Sequence, residues 1–198
     1  GGGVDERVRS AAADAWHRGE TRYTPNGGIR VLREAIVRKL ERENALDVEI
    51  DQVWVTVGGT QALHQAMSLV LGVGDEVLIP DPGYTTFAMN AHMLQAVAVP
   101  YALRPERGFV PDLAELEALV TPASRAIVVN TPSNPLGITF DPAVVAALVD
   151  FARRHDLWLI SDEVYERFTW GAAHASPATF DTDGRVLSVF STSKTYAM

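Results

Sequence analysis

The feature that most constrains this chain is an alternation. Short runs of consecutive apolar residues, rich in Val and Ile, are separated by stretches with helical period. A strand that is apolar on consecutive positions must be buried on both faces, and a parallel sheet with helices on either side meets that condition. The runs are residues 53–57, 76–80, 96–101, 126–130, 157–161 and 186–191, and the helical stretches are 5–18, 29–43, 60–71, 84–94, 113–120 and 142–155. Together they predict an α/β fold of three layers, α/β/α, with a mostly parallel sheet. Start signals agree: Asp141 stands before Pro142 as an N-cap before a first-turn proline, and Asp112 can cap the helix at 113–120. Leu63, Ala66, Met67 and Val70 recur at helical spacing as a core-facing stripe.

Composition then removes several classes of function. Lys and Arg number 17 against 25 Asp and Glu, a net charge of −8, so a face that neutralises nucleic-acid phosphates is not expected. With no cysteine there is no disulfide frame, no thiolate nucleophile and no Cys-based zinc site, and a cytoplasmic location is the default. No apolar run reaches the ~20 residues of a membrane helix. The histidines at 17, 64, 92, 155 and 174 lack metal-ligand spacing, so no metal is expected. Trp16, Trp54, Trp158 and Trp170 are read as packing residues.

In open sheets of this kind ligands sit at the carboxyl ends of the strands, which directs attention to four loops. Gly58-Gly59-Thr60 leads into a helix and can present free N–H groups to a phosphate, or is a tight turn capped by Thr60. Thr131-Pro132-Ser133-Asn134-Pro135 is a rigid loop that aims Asn134, or an ordinary Asn-Pro turn. Asp162-Glu163-Val164-Tyr165 puts an acid at a strand end with a phenol three residues on; a buried Asp needs a cationic or protonated partner, the alternative being a helix cap. Ser191-Thr192-Ser193-Lys194 adds hydroxyls and an amine. Lys194 is one of two lysines, the other being Lys39, among 17 basic residues. Lysine, unlike arginine, can form a Schiff base.

A phosphate cradle, an amide, an acid with a phenol, and an amine suit one cofactor. The stretches ETRYTPNGGIRVLREAI, VTVGGTQAL, DPGYTTF, NTPSNPLG, SDEVYERF and STSKTYAM resemble, in order and spacing, those of the class I/II aminotransferases of the aspartate aminotransferase superfamily. These are pyridoxal-phosphate enzymes of fold type I. The resemblance implies that residues 1–198 are most of the large cofactor-binding domain, with the amino-terminal segment and the carboxyl-terminal small domain outside this chain. It implies that Lys194 holds pyridoxal 5'-phosphate as an aldimine and moves the substrate proton. Asp162 then pairs with the pyridinium nitrogen, Asn134 and Tyr165 hydrogen-bond the cofactor's phenolic oxygen, and Tyr84 stacks on the ring. Gly59, Thr60 and Ser191 bind phosphate, with Gly58 beside them, and Tyr23 reaches the phosphate of the other subunit of a homodimer.

The implied activity is transfer of an amino group between an amino acid and a 2-oxo acid. Alternatives sharing the cofactor are a lyase, an aminocyclopropane-carboxylate-synthase-like enzyme, or the sensor domain of a transcription regulator. One departure stands out: Leu136 occupies a position where many members carry threonine. The family's second phosphate-binding basic residue and its substrate-carboxylate arginine are expected beyond Met198.

Overall fold

The computed structural model describes residues 3–171 and 173–198, so Gly1 and Gly2 of the glycine start, and Ala172, lie outside the described residues. Along the chain come α1 (Glu6–His17), α2 (Arg30–Asn44), α3 (Gly58–Val70), β1 (Glu76–Asp81), α4 (Thr86–Met93) and β2 (Val97–Ala102). They are followed by α5 (Leu113–Leu119), β3 (Ser124–Asn130), α6 (Pro142–Arg154), β4 (Trp158–Asp162), β5 (Val186–Val189) and α7 (Thr192–Tyr196). Every strand pairing is parallel, in the order β2-β1-β3-β4-β5.

The consecutive apolar runs feed two cores at once, because side chains alternate across a strand. On β1, Val77 and Ile79 enter one core while Leu78 enters the other. On β3, Ala126 and Val128 join the first and Ile127 and Val129 the second. The first core is closed by Leu63, Ala66 and Met67 of α3 with Phe87 and Ala91 of α4, and the second by Leu116 of α5 with Val145, Leu148 and Phe151 of α6. The predicted stripe on α3 therefore faces inward, with Val70 partly buried against the same core. Helix starts also follow the sequence: the Asp112 and Asp141 side chains accept from the Ala114 and Ala143 N–H groups at 2.9 and 2.8 Å.

Two expectations are corrected. Residues 53–57 form no strand: Val53 is buried beside Leu40 and Leu46, but the segment's backbone bonds to local turns and side chains and, through Val55 N–H, to the Gly27 carbonyl at 3.0 Å, with no ladder to a neighbouring strand. A strand needs a neighbour along its length, and Trp54 and Val57 stand exposed. The tryptophans are not core residues either, since Trp16, Trp54, Trp158 and Trp170 are all exposed. Trp16 belongs to a helix with no buried residue, and Trp158 is the exposed first residue of β4.

The topology fixes where a ligand can sit. From β1 the chain steps out to β2 and then crosses back past β1 to β3, so the strand order reverses between β1 and β3. At such a point the loops leaving the carboxyl ends diverge and leave a crevice.

Candidate active site

A cleft of about 200 Å³ opens at the carboxyl ends of the strands. Its walls include Gly59 and Thr60 at the start of α3, Tyr84 after β1, Asn134 after β3, Asp162 and Tyr165 at the end of β4, and Ser191 and Lys194 after β5. All the predicted site residues except Tyr23 therefore line one cavity; Tyr23 lies apart and is fully exposed. Gly58, Leu63, Val164 and Ser193 complete the lining.

The anion end is made by α3. The helix starts at Gly58, two residues earlier than Thr60, so Thr60 is not the cap. The Val57 N–H is taken by Gln61 Oε1 at 2.6 Å and the Gly58 N–H by the Thr56 carbonyl at 3.0 Å. The N–H groups of Gly59 and Thr60 lie in the first turn, where no helical carbonyl stands four residues back, and both residues line the cleft. A Cβ at Gly59 would come within 3.1 Å of Val164 Cγ1, so glycine lets the first turn lie close to the strand ends.

The loop after β1 is as constrained. At Gly83 a Cβ would sit 2.2 Å from the Pro80 carbonyl oxygen, a contact that only glycine avoids, and this turn delivers Tyr84. Phe87 braces the Tyr84 ring edge-on at 5.8 Å.

Asp162 is 2% exposed and ends β4 opposite Asn130 of β3. One carboxylate oxygen accepts from the Val164 N–H at 3.3 Å. Burial pushes the carboxyl up to about 6; the charge of Glu163 adds to the rise, while the Val164 hydrogen bond and the charge of Lys194 oppose it. Glu163 is itself fully buried, held by His174 Nε2 at 2.7 Å and by the Ser176 hydroxyl at 2.9 Å. The cleft thus keeps a desolvated acid that makes no ion pair among the described residues, which favours a ligand carrying positive charge or N–H.

The same cleft holds an amine. Ser191 caps the short α7, its hydroxyl accepting from the Ser193 N–H at 3.2 Å. Lys194 Nζ lies 5.3 Å from the centre of the Tyr165 ring. A residue that sequence reasoning missed holds two of these parts together. Asn130, 3% exposed, donates through Nδ2 to the Asp162 carbonyl at 3.1 Å and accepts through Oδ1 from the Asn134 N–H at 2.7 Å. An amide ending an otherwise apolar run, four residues before Asn134, is the signal that could have found it. Leu136, the departure in this loop, packs against the core shared by α5 and α6.

Residues 2–198 match the family model for aminotransferase class I and II. The chain belongs to this family. It is 38% identical over 193 residues to a probable aspartate/prephenate aminotransferase of Thermus aquaticus, covering 98% of this chain and 50% of that protein. It is 39% identical over 197 residues to an aspartate aminotransferase of Rhizobium meliloti, covering 98% and 48%. A solved aspartate aminotransferase of Thermus thermophilus with maleate superposes over the whole chain and 51% of its own, with TM-score 0.96 and 38% identity. This aminotransferase-family chain spans about half the length of the curated relatives it matches. Among the described residues, no helix is long and apolar enough to cross a membrane and no cluster of three or more His, Asp or Glu could hold a metal.

Proposed function

We propose that the protein is a pyridoxal 5'-phosphate-dependent aminotransferase that moves an amino group between an amino acid and a 2-oxo acid, this chain being most of its large cofactor-binding domain. The observation that carries the reading is the donor set that lines one cleft: residues of a helix's first turn, hydroxyls, a desolvated acid, an amide, a phenol and an amine. These groups suit a phosphate, a ring nitrogen and a phenolic oxygen on one planar ligand. The relatives are named aminotransferases, which supports transamination over elimination.

Bound there, pyridoxal phosphate supplies an electron sink that makes the substrate's Cα–H acidic. The chain's own residues then have separate tasks. The Gly59 and Thr60 N–H groups, with the Thr60 and Ser191 hydroxyls, hold the phosphate at the positive end of α3. Asp162 keeps a proton on the ring nitrogen: its carboxyl, raised to about 6 by burial, regains a stable charge once an N–H cation lies against it. Asn134 and Tyr165 would donate to the phenolic oxygen, and Tyr84 would offer its face to the ring. Lys194 Nζ would hold the cofactor and would be the group that carries a proton to and from the substrate's Cα.

The exposed Tyr23 supports a homodimer in which it reaches the neighbouring subunit's phosphate. The cysteine-free composition supports a cytoplasmic setting. Replacing Lys194 with alanine in the full-length protein is expected to abolish both the bound chromophore and turnover; normal transamination by that variant would overturn the assignment.

A further inference from the structure

The cleft accounts for one of the chain's two lysines. The other, Lys39 on α2, lies outside it with its side chain 20% exposed. Its ammonium donates to Asn44 Oδ1 at 2.8 Å and to Glu166 Oε1 at 2.5 Å, and stands 4.5 Å from the centre of the Phe190 ring. Asn44 Nδ2 closes the triangle by donating to Glu166 Oε2 at 2.7 Å. A charge pair this far from solvent is tolerated because both carboxylate oxygens and the ammonium have partners and an aromatic face lies beside them.

The partners' positions in the chain give this cluster its meaning. Glu166 directly follows Tyr165, and Phe190 directly precedes Ser191, the cap of the helix bearing Lys194. One ammonium therefore ties α2 to both segments that place the phenol and the amine, from opposite ends of the sequence. Its shape matters. A compact ammonium places its donors on two oxygens beside the ring, whereas a larger planar guanidinium would have to shift those partners to make the same contacts, and Lys39 stands in a chain whose other basic residues are, apart from Lys194, all arginine.

We propose that Lys39 is a positioning residue: through Glu166, Asn44 and Phe190 it sets the placement of Tyr165 against Lys194. Its consequence for cofactor affinity rests on the function proposed above; the placement itself does not. The test uses the full-length protein labelled with 3-fluorotyrosine, the Tyr165 resonance being assigned by its loss in Tyr165→Phe. Lys39→Met and Glu166→Gln are each expected to move that resonance in cofactor-free protein and to weaken pyridoxal-phosphate binding by about fivefold or more, the double variant being no weaker than the weaker single one. Lys39→Arg, which keeps the charge and disturbs folding least, is expected to leave the resonance displaced. A lowered melting temperature with an unmoved Tyr165 resonance and unchanged affinity would overturn the proposal and leave Lys39 a purely stabilising residue. A displaced resonance in a protein that never takes up pyridoxal phosphate would support the placement and refute the cofactor reading.

Discussion

Asp162 makes the cleft costly to the empty protein, and the cost can be measured. Its carboxyl titrates at about 6 in the fold, against an ordinary 3.8, chiefly because it is buried. A raised carboxyl value means that the native state holds the proton more tightly than the unfolded chain, so stability falls as pH rises from the unfolded value through the folded one. At 1.36 kcal/mol per unit, the full penalty above pH 6 is about 3 kcal/mol, and about half of it is present at pH 5. Asp162→Asn removes the charge and retains an oxygen able to accept from the Val164 N–H. The cofactor-free variant is therefore expected to be more stable than the parent, by about 3 kcal/mol at pH 8 and about half that at pH 5. Urea unfolding at fixed protein concentration between those pH values reads both numbers. The same variant is expected to bind pyridoxal phosphate more weakly, the usual exchange of stability for function at a site. A variant less stable than the parent at pH 8, or a difference that does not change between pH 5 and 8, would refute the reasoning.

Other consequences follow from single contacts. Asn130→Leu leaves the Asn134 N–H without its acceptor and the Asp162 carbonyl with only the Thr131 N–H at 3.3 Å, so it is expected to cost about 1–3 kcal/mol in urea unfolding and to weaken cofactor binding in a fluorescence titration. Gly83→Ala drives a methyl onto the Pro80 carbonyl oxygen, and the turn bearing Tyr84 must shift. Its expected cost is about 2 kcal/mol or more, with reduced cofactor affinity, whereas unchanged melting and binding would count against this account of the turn.

What the sequence made legible depended on how directly each feature reflects burial. Strands β1, β3 and β4 were readable because Val77, Leu78, Ile127, Val128, Leu159 and Ile160 feed cores on both sides, a condition that leaves unbroken apolar runs. Residues 53–57 carry the same pattern without becoming a strand, because an apolar run reports burial and not pairing, and only Val53 of that run is buried. Helix α7, five residues long, has too few turns to show a period. Residues that line the cleft were visible, since Lys194, Asp162, Asn134 and Tyr165 follow apolar runs in loops of suggestive composition. Residues acting through others were not: Lys39 meets Glu166 across 127 positions, and His174 meets Glu163 only because the β4–β5 connection folds back beneath the strand end. No local pattern encodes such long-range partners.

The central claim is that this cleft binds pyridoxal phosphate through Lys194 and uses it to move amino groups. Its most direct test is an absorbance titration of the full-length protein with pyridoxal phosphate, followed by a panel of amino acids. The account predicts saturable uptake with a new absorbance band that Lys194→Ala lacks, and conversion to the pyridoxamine form on adding the right amino acid. Absence of uptake, or a band that survives Lys194→Ala, would contradict it.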